Sequence, residues 1–324
     1  MKIFRHRLYF LTLGLLAFAS QCRGGAVDSV SPVLYDSPAC ILYYSELNVS
    51  VRQPEREKFL LGSPGVVPPN RYNADLKVTA RGVELPRWLE PHLITAVDVM
   101  REGWQQLVVT DVPPQLMPIE IVFVADQLEF ESMRQQLAPQ LEGVSGFYSS
   151  QTGQAVVFYD ARIIESVRRT AIHELSHLVT ASYLGPAPRW LAEGMAEYYE
   201  PMYIARSGAA LGPNRRHTDV LVLENTPGLL DFLQLSSEHW YGESGRQHYA
   251  TAWSVIFFLM DSPEGRQTLA HLLSTATANV CKPLSLEPLL GVYPGGFAQL
   301  EADWRQWLGD APFAVNQHML REPQ

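Results

Sequence analysis

Residues 170–201 read TAIHELSHLVTASYLGPAPRWLAEGMAEYYEP, and no other stretch narrows the fold as much. Ile164, Ala171, Leu175 and Leu178 recur at helical spacing, which predicts a long helix from Ile163 to about Leu184. The GPAP run at 185–188 ends it, because proline lacks an N–H and crowds the preceding turn. A second helix is predicted from Arg189 to Glu200, stopping before Pro201. So short a break folds the second helix back against the first.

The first helix carries His173, Glu174 and His177 in an H-E-x-x-H arrangement. Residues four apart lie on one face, about 40° apart in rotation, so the two imidazoles can share one zinc ion. Glu174 lies about 100° round from His173. It cannot easily join the same metal but can reach a water on it. The histidines also lie opposite the apolar stripe, with Ser166 and Thr170, and such a face is ordinarily solvated. Taken alone, the pair fits both a metal site and a wet polar face.

The second helix supplies acids. A catalytic zinc takes three protein ligands and keeps one position open, and Glu193 becomes the third if the helices fold together. Glu197 is one turn further along and can accept the N–H of a histidine ligand. The other reading makes Glu193, Glu197 and Glu200 a solvated charged face; it suits Glu200 best.

HELSH followed by PRWLAEGMAEYYE resembles the gluzincin metallopeptidases, the clan of thermolysin and the zinc aminopeptidases, and more narrowly the peptidase-MA-like proteins. The resemblance implies a zincin-like α+β fold and a Zn²⁺ ion on His173, His177 and Glu193. It also implies Glu174 as general base and Glu197 behind a histidine. Fifteen residues separate His177 from Glu193, fewer than in the best-known members, and short connections of this kind are expected in the peptidase-MA group. YATAWSVIFFL is similar to the aminopeptidase helix that carries a transition-state tyrosine. That likeness makes Tyr249 the oxyanion donor, and a core tyrosine is the alternative. QAVVFYD precedes the zinc helix, where clan members place the sheet whose edge pairs with substrate backbone. No GxMEN-like element is present, so an endopeptidase acting on a peptide or protein is favoured over an aminopeptidase. A catalytically inactive zinc-binding or peptide-binding protein is the competing expectation, but a purely structural metal site has no need of Glu174.

Around this centre, the chain predicts mixed α/β structure first and helices afterwards, an α+β body over 76–310 with a tail at 311–324. Leu76–Thr79, PIEIVFVAD and a pair around SSQTGQ read as strands. PRWLEPHLITAVDVMREGWQQLV, LEFESMRQQL and the segments TPGLLDFLQL, RQHYATAWSVIFFLMDS, EGRQTLAHLLSTATA and GGFAQLEADWRQWLGD read as helices. Residues 22–75 are proline-punctuated and read as an irregular extension, with CILYYSELNVSV as one strand.

Lys2, Arg5 and Arg7, the apolar run Leu8–Ala19 and the small residues Ala17, Ala19 and Ser20 form a secretory signal pattern over 1–21. The run is shorter than the ~20 residues that cross a bilayer. Export to a periplasm or the exterior is therefore expected, with a short membrane anchor or a lipid on Cys22 as variants; Gln21 stands where a lipoprotein signal wants a small residue. Cys40 and Cys281 form a disulfide or remain two buried thiols, and Asn48 opens an N-x-S triplet. No later segment reads as membrane-spanning. With a net charge of -9 and no long basic run, a nucleic-acid surface is excluded.

Overall fold

Strand alternation sets up the first layer. In β2 (Ile119–Val124), Ile119, Ile121 and Phe123 join the main core while Val122 and Val124 join a second, smaller one, as the period of two demands. β4 (Gln154–Phe158) repeats the pattern, with Ala155 and Val157 on one face and Val156 on the other. Together with β1 (Leu76–Arg81) and β3 (Gly146–Ser149) they form a four-stranded sheet in the order β1-β2-β4-β3. β1, β2 and β4 run parallel, and β3 lies antiparallel on the β4 edge. The sheet edge beside the helices is thus β3. β4, which the sequence points to, is an interior strand.

The computed structural model describes residues 76–108, 119–149, 152–185, 187–205, 208–218, 220–221, 226–236, 239–241, 244–278, 284, 286, 291–310 and 318–319, all within the compact unit Pro32–Gln324. The signal pattern, the CILYYSELNVSV strand, Asn48 and all three cysteines lie outside the described residues.

Helices cover both faces of the sheet. α1 (Leu89–Leu107) and α3 (Ile164–Leu184) pack on the main-core face. α2 (Gln127–Leu137), capped by Asp126 accepting from the Glu129 N–H at 2.8 Å, seals the smaller core through Phe130. α3 begins after a 3-10 turn at Ala161–Ile163 and ends at Gly185. Gly185 has φ 66°, a left-handed conformation that glycine adopts without a Cβ penalty. Pro188 then opens α4 (Arg189–Tyr199), its carbonyl accepting from the Leu191 and Ala192 N–H groups.

Beyond α4 the chain is mainly helical: short α5 (Arg215–Thr218) and α6 (Leu229–Leu233), then α7 (Gly245–Asp261), α8 (Pro263–Thr277) and α9 (Gly296–Gly309). α4 lies tightly on α7, where a Cβ on Gly194 would come within 2.7 Å of the Ala252 carbonyl oxygen. This part also holds a three-stranded antiparallel sheet, β5 (Tyr203–Ala205), β6 (Gly208–Leu211) and β7 (His318–Met319). An all-helical reading of this part misses it, and β7 draws the expected tail into the body. The fold is α+β, and no helix among the described residues is long and apolar enough to cross a membrane.

Candidate metal centre

α3 is buried nearly all round. Its apolar stripe joins the core, and its opposite face looks into a cleft of about 1350 Å³ rather than into open solvent. One wall of the cleft is the 140–148 segment ending in β3, and another is α4. His173 and His177 therefore keep only 14% and 12% side-chain exposure. The wet-face reading of the pair fails because β3 and α4 flank the polar side of α3.

Across the cleft α4 presents Glu193, 3% exposed. His173 Nε2 and His177 Nε2 face each other at 3.2 Å, and Glu193 Oε2 lies 3.4 Å from each. Ligand atoms about 2.0–2.1 Å from a tetrahedral zinc ion would lie about 3.3–3.4 Å apart. Glu193 Oε2 is buried and has no hydrogen-bond partner, an expensive state for a carboxylate oxygen. Three lone-pair atoms converging on one point, one of them unpaired, fit a divalent cation, and His173, His177 and Glu193 form a group that can hold one.

The electrostatics agree. Burial alone would lower the His173 pKa, but the Glu193, Glu197 and Glu174 carboxylates outweigh it and hold the imidazolium up at about 10. Burial likewise opposes ionisation of Glu193, and the two histidines reverse it, pulling the carboxyl well below its ordinary range. The site demands a positive charge, which a metal or a proton can supply in competition.

Glu174 stands beside the triad without belonging to it. It is 7% exposed, and burial pushes its carboxyl pKa up. The β3 backbone comes so close that a Cβ on Gly146 would lie 3.1 Å from Glu174 Cγ and 3.2 Å from its Oε1. Tyr148, also on β3, stacks on His177 with ring centres 6.3 Å apart.

Glu197 takes the expected place behind His173: its Oε1 faces His173 Nδ1 at 3.5 Å, leaving Nε2 free for the cleft. Its other oxygen is held by three groups on which the sequence analysis is silent. His217 Nε2 donates at 2.7 Å, Asn214 Nδ2 at 2.8 Å and Arg216 Nη2 at 3.1 Å. Glu200 is not a solvated acid. It is 2% exposed and accepts from Arg169, Asn214 and Arg216 at 3.1, 3.1 and 2.7 Å. The error has a physical source: residues 214–217 fold over the far side of α4, a contact that helical periodicity does not encode. His173, Glu197 and Glu200 also lie close enough to hold a cation, but these guanidinium, amide and imidazole donors already serve the two carboxylates.

Tyr249 lines the cleft as a half-buried residue on α7 and packs edge-on against Trp240, ring centres 5.7 Å apart. Burial pushes its phenol pKa far up, so it stays a donor. Tyr241 lines the same cleft and was missed. His248 directs Nδ1 at the Trp240 carbonyl, 2.8 Å away, in a structural tether. Arg189, at the start of α4, also went unremarked; its Nη1 donates to Glu193 Oε1 at 3.0 Å. The four-residue spacing of Arg189 and Glu193 on one helix was the signal that could have found it.

Residues 163–284 match a family described as a protein of unknown function, DUF1570. The matched segment contains α3 and α4, hence the whole triad, and leaves out the four-stranded sheet. Comparison with curated proteins gives no match.

Proposed function

We propose that this chain is an exported zinc-dependent metallopeptidase of the gluzincin kind, with His173, His177 and Glu193 as zinc ligands and Glu174 as general base. The observation that carries the reading is the buried, unpartnered Glu193 Oε2, equidistant at 3.4 Å from two facing imidazole nitrogens. A bound Zn²⁺ would supply Lewis-acid polarisation and a water acidified to a pKa of about 7.

The residues divide the remaining work. Glu174 takes the proton of the attacking water on its carboxylate and delivers it to the leaving amine. Burial raises its pKa, which makes the carboxylate a stronger proton acceptor. Glu197 orients the His173 ring through Nδ1. The Tyr249 phenol, kept protonated by burial, is the donor to the oxygen that gains charge as the carbonyl is attacked. A peptide is the substrate class that fits best, because among the described residues the outer side of β3 is an unpaired strand edge on the cleft wall, to which an extended backbone can hydrogen-bond. The N-terminal signal pattern supports action outside the cytoplasm.

The test compares the purified wild type with Glu174→Gln in metal analysis and peptide-library digestion. Both proteins should bind one zinc equivalent, and only the wild type should cut, with turnover lower by at least about 10²–10⁴-fold in the variant. Zinc at one equivalent with no cleavage of any peptide would make the fold a metal-binding or peptide-binding protein. Cleavage that survives Glu174→Gln would reject the assignment of the base.

A further inference from the structure

We infer that Arg189 is a positioning residue that makes Glu193 a one-oxygen ligand. The inference rests on the zinc reading above.

Glu193 has two oxygens and two demands on them. Arg189 Nη1 donates to Oε1 at 3.0 Å, while Oε2 faces the two histidine nitrogens and has no other partner. A carboxylate free to rotate could offer a cation both oxygens and occupy a coordination position that catalysis needs open. Holding Oε1 on a guanidinium prevents this.

The guanidinium is itself fixed. Arg189 is the first residue of α4 and lies one turn before Glu193, so the pair shares a helix face. Its Cζ sits 5.4 Å from the centre of the Tyr241 ring, an aromatic face on which a guanidinium is favourably held. Its side chain retains 29% exposure against 4% for Glu193, and both residues line the cleft. The positive charge also draws electron density from the ligand, which would leave a bound metal more electrophilic.

The experiment uses the full chain with Arg189→Met, which keeps the stem over Tyr241, and Arg189→Lys, which restores the charge and a donor. Circular dichroism confirms folding. Two quantities are read: zinc affinity by competition with a chelator, and the visible absorption of the Co²⁺-substituted protein, intense in a tetrahedral site and weaker as coordination number rises. Arg189→Met should lose cobalt absorption as the freed Oε1 raises the coordination number, without weaker zinc binding, and Arg189→Lys should recover part of the absorption. Wild-type affinity and an unchanged spectrum in Arg189→Met overturn the inference alone. A changed zinc affinity with an unchanged spectrum also overturns it, since the arginine would then act without selecting the oxygen. A wild type that binds neither metal overturns the inference together with the zinc reading.

Discussion

Four carboxylates, Glu174, Glu193, Glu197 and Glu200, are buried around one cleft, and their neighbours set them in two opposite directions, Glu193 and Glu197 down, Glu174 and Glu200 up. Burial opposes ionisation of all four. For Glu197 the His217 hydrogen bond and the His173 charge overcome burial and hold its carboxyl down. Glu200, facing the Glu197 charge, is instead raised by burial and that repulsion to about 7. The folded protein then binds more protons than the unfolded chain between the ordinary 4.5 and about 7. Stability should therefore fall as pH rises through that window. Urea unfolding of metal-free protein across that range should show the decline. Glu200→Gln should make it shallower, leaving the share of Glu174, whose carboxyl is also raised, and an unchanged slope would mean that the Glu200 proton is not responsible.

At the scale of elements, the setting of Glu174, the proposed base, depends on how closely β3 approaches α3. A Cβ on Gly146 would lie 2.5 Å from Thr170 Cγ2 and within about 3.2 Å of Glu174. Thr170 is β-branched and stiff on its helix, so the strain should pass to the Glu174 side chain or to the strand. Gly146→Ala should retain one zinc equivalent, because the atoms nearest that Cβ position belong to Thr170 and Glu174, outside the triad. It should lose about 10²-fold in turnover, the scale of a 1 Å misplacement of a reacting group. Zinc titration beside steady-state kinetics separates the two effects. A fully active Gly146→Ala would show that Glu174 has room to adjust.

For the whole molecule, a metal on His173, His177 and Glu193 would tie α3 to α4, which itself lies against α7 at Gly194. Without one, Glu193 Oε2 has no hydrogen bond and only the two histidine nitrogens, 3.4 Å away, to balance its charge. Chelation should lower the melting temperature. Zinc added at about 1,000 times its Kd should restore about 4 kcal/mol of stability, growing with free zinc. A melting temperature indifferent to chelator and zinc would argue against binding at this site.

Features that live within one helix were legible in the sequence. His173, Glu174 and His177 could be placed because helical spacing fixes which of them share a face, as it does for Glu193 and Glu197; the short turn between the helices and the family resemblance brought the two sets together. The long helices and β2 followed from periods repeated over several residues, and β3 and β4 from the turn that joins them. β5, β6 and β7 have 3, 4 and 2 residues, too few for a period to register. Tertiary structure alone decided that the polar face of α3 looks into a cleft, that β3 rather than β4 is its edge strand, and that Glu200 is buried under Asn214 and Arg216. These outcomes depend on which segments meet across long stretches of chain. Local periodicity carries one element's own geometry, whereas the solvation of a charged side chain is set by whatever packs over it.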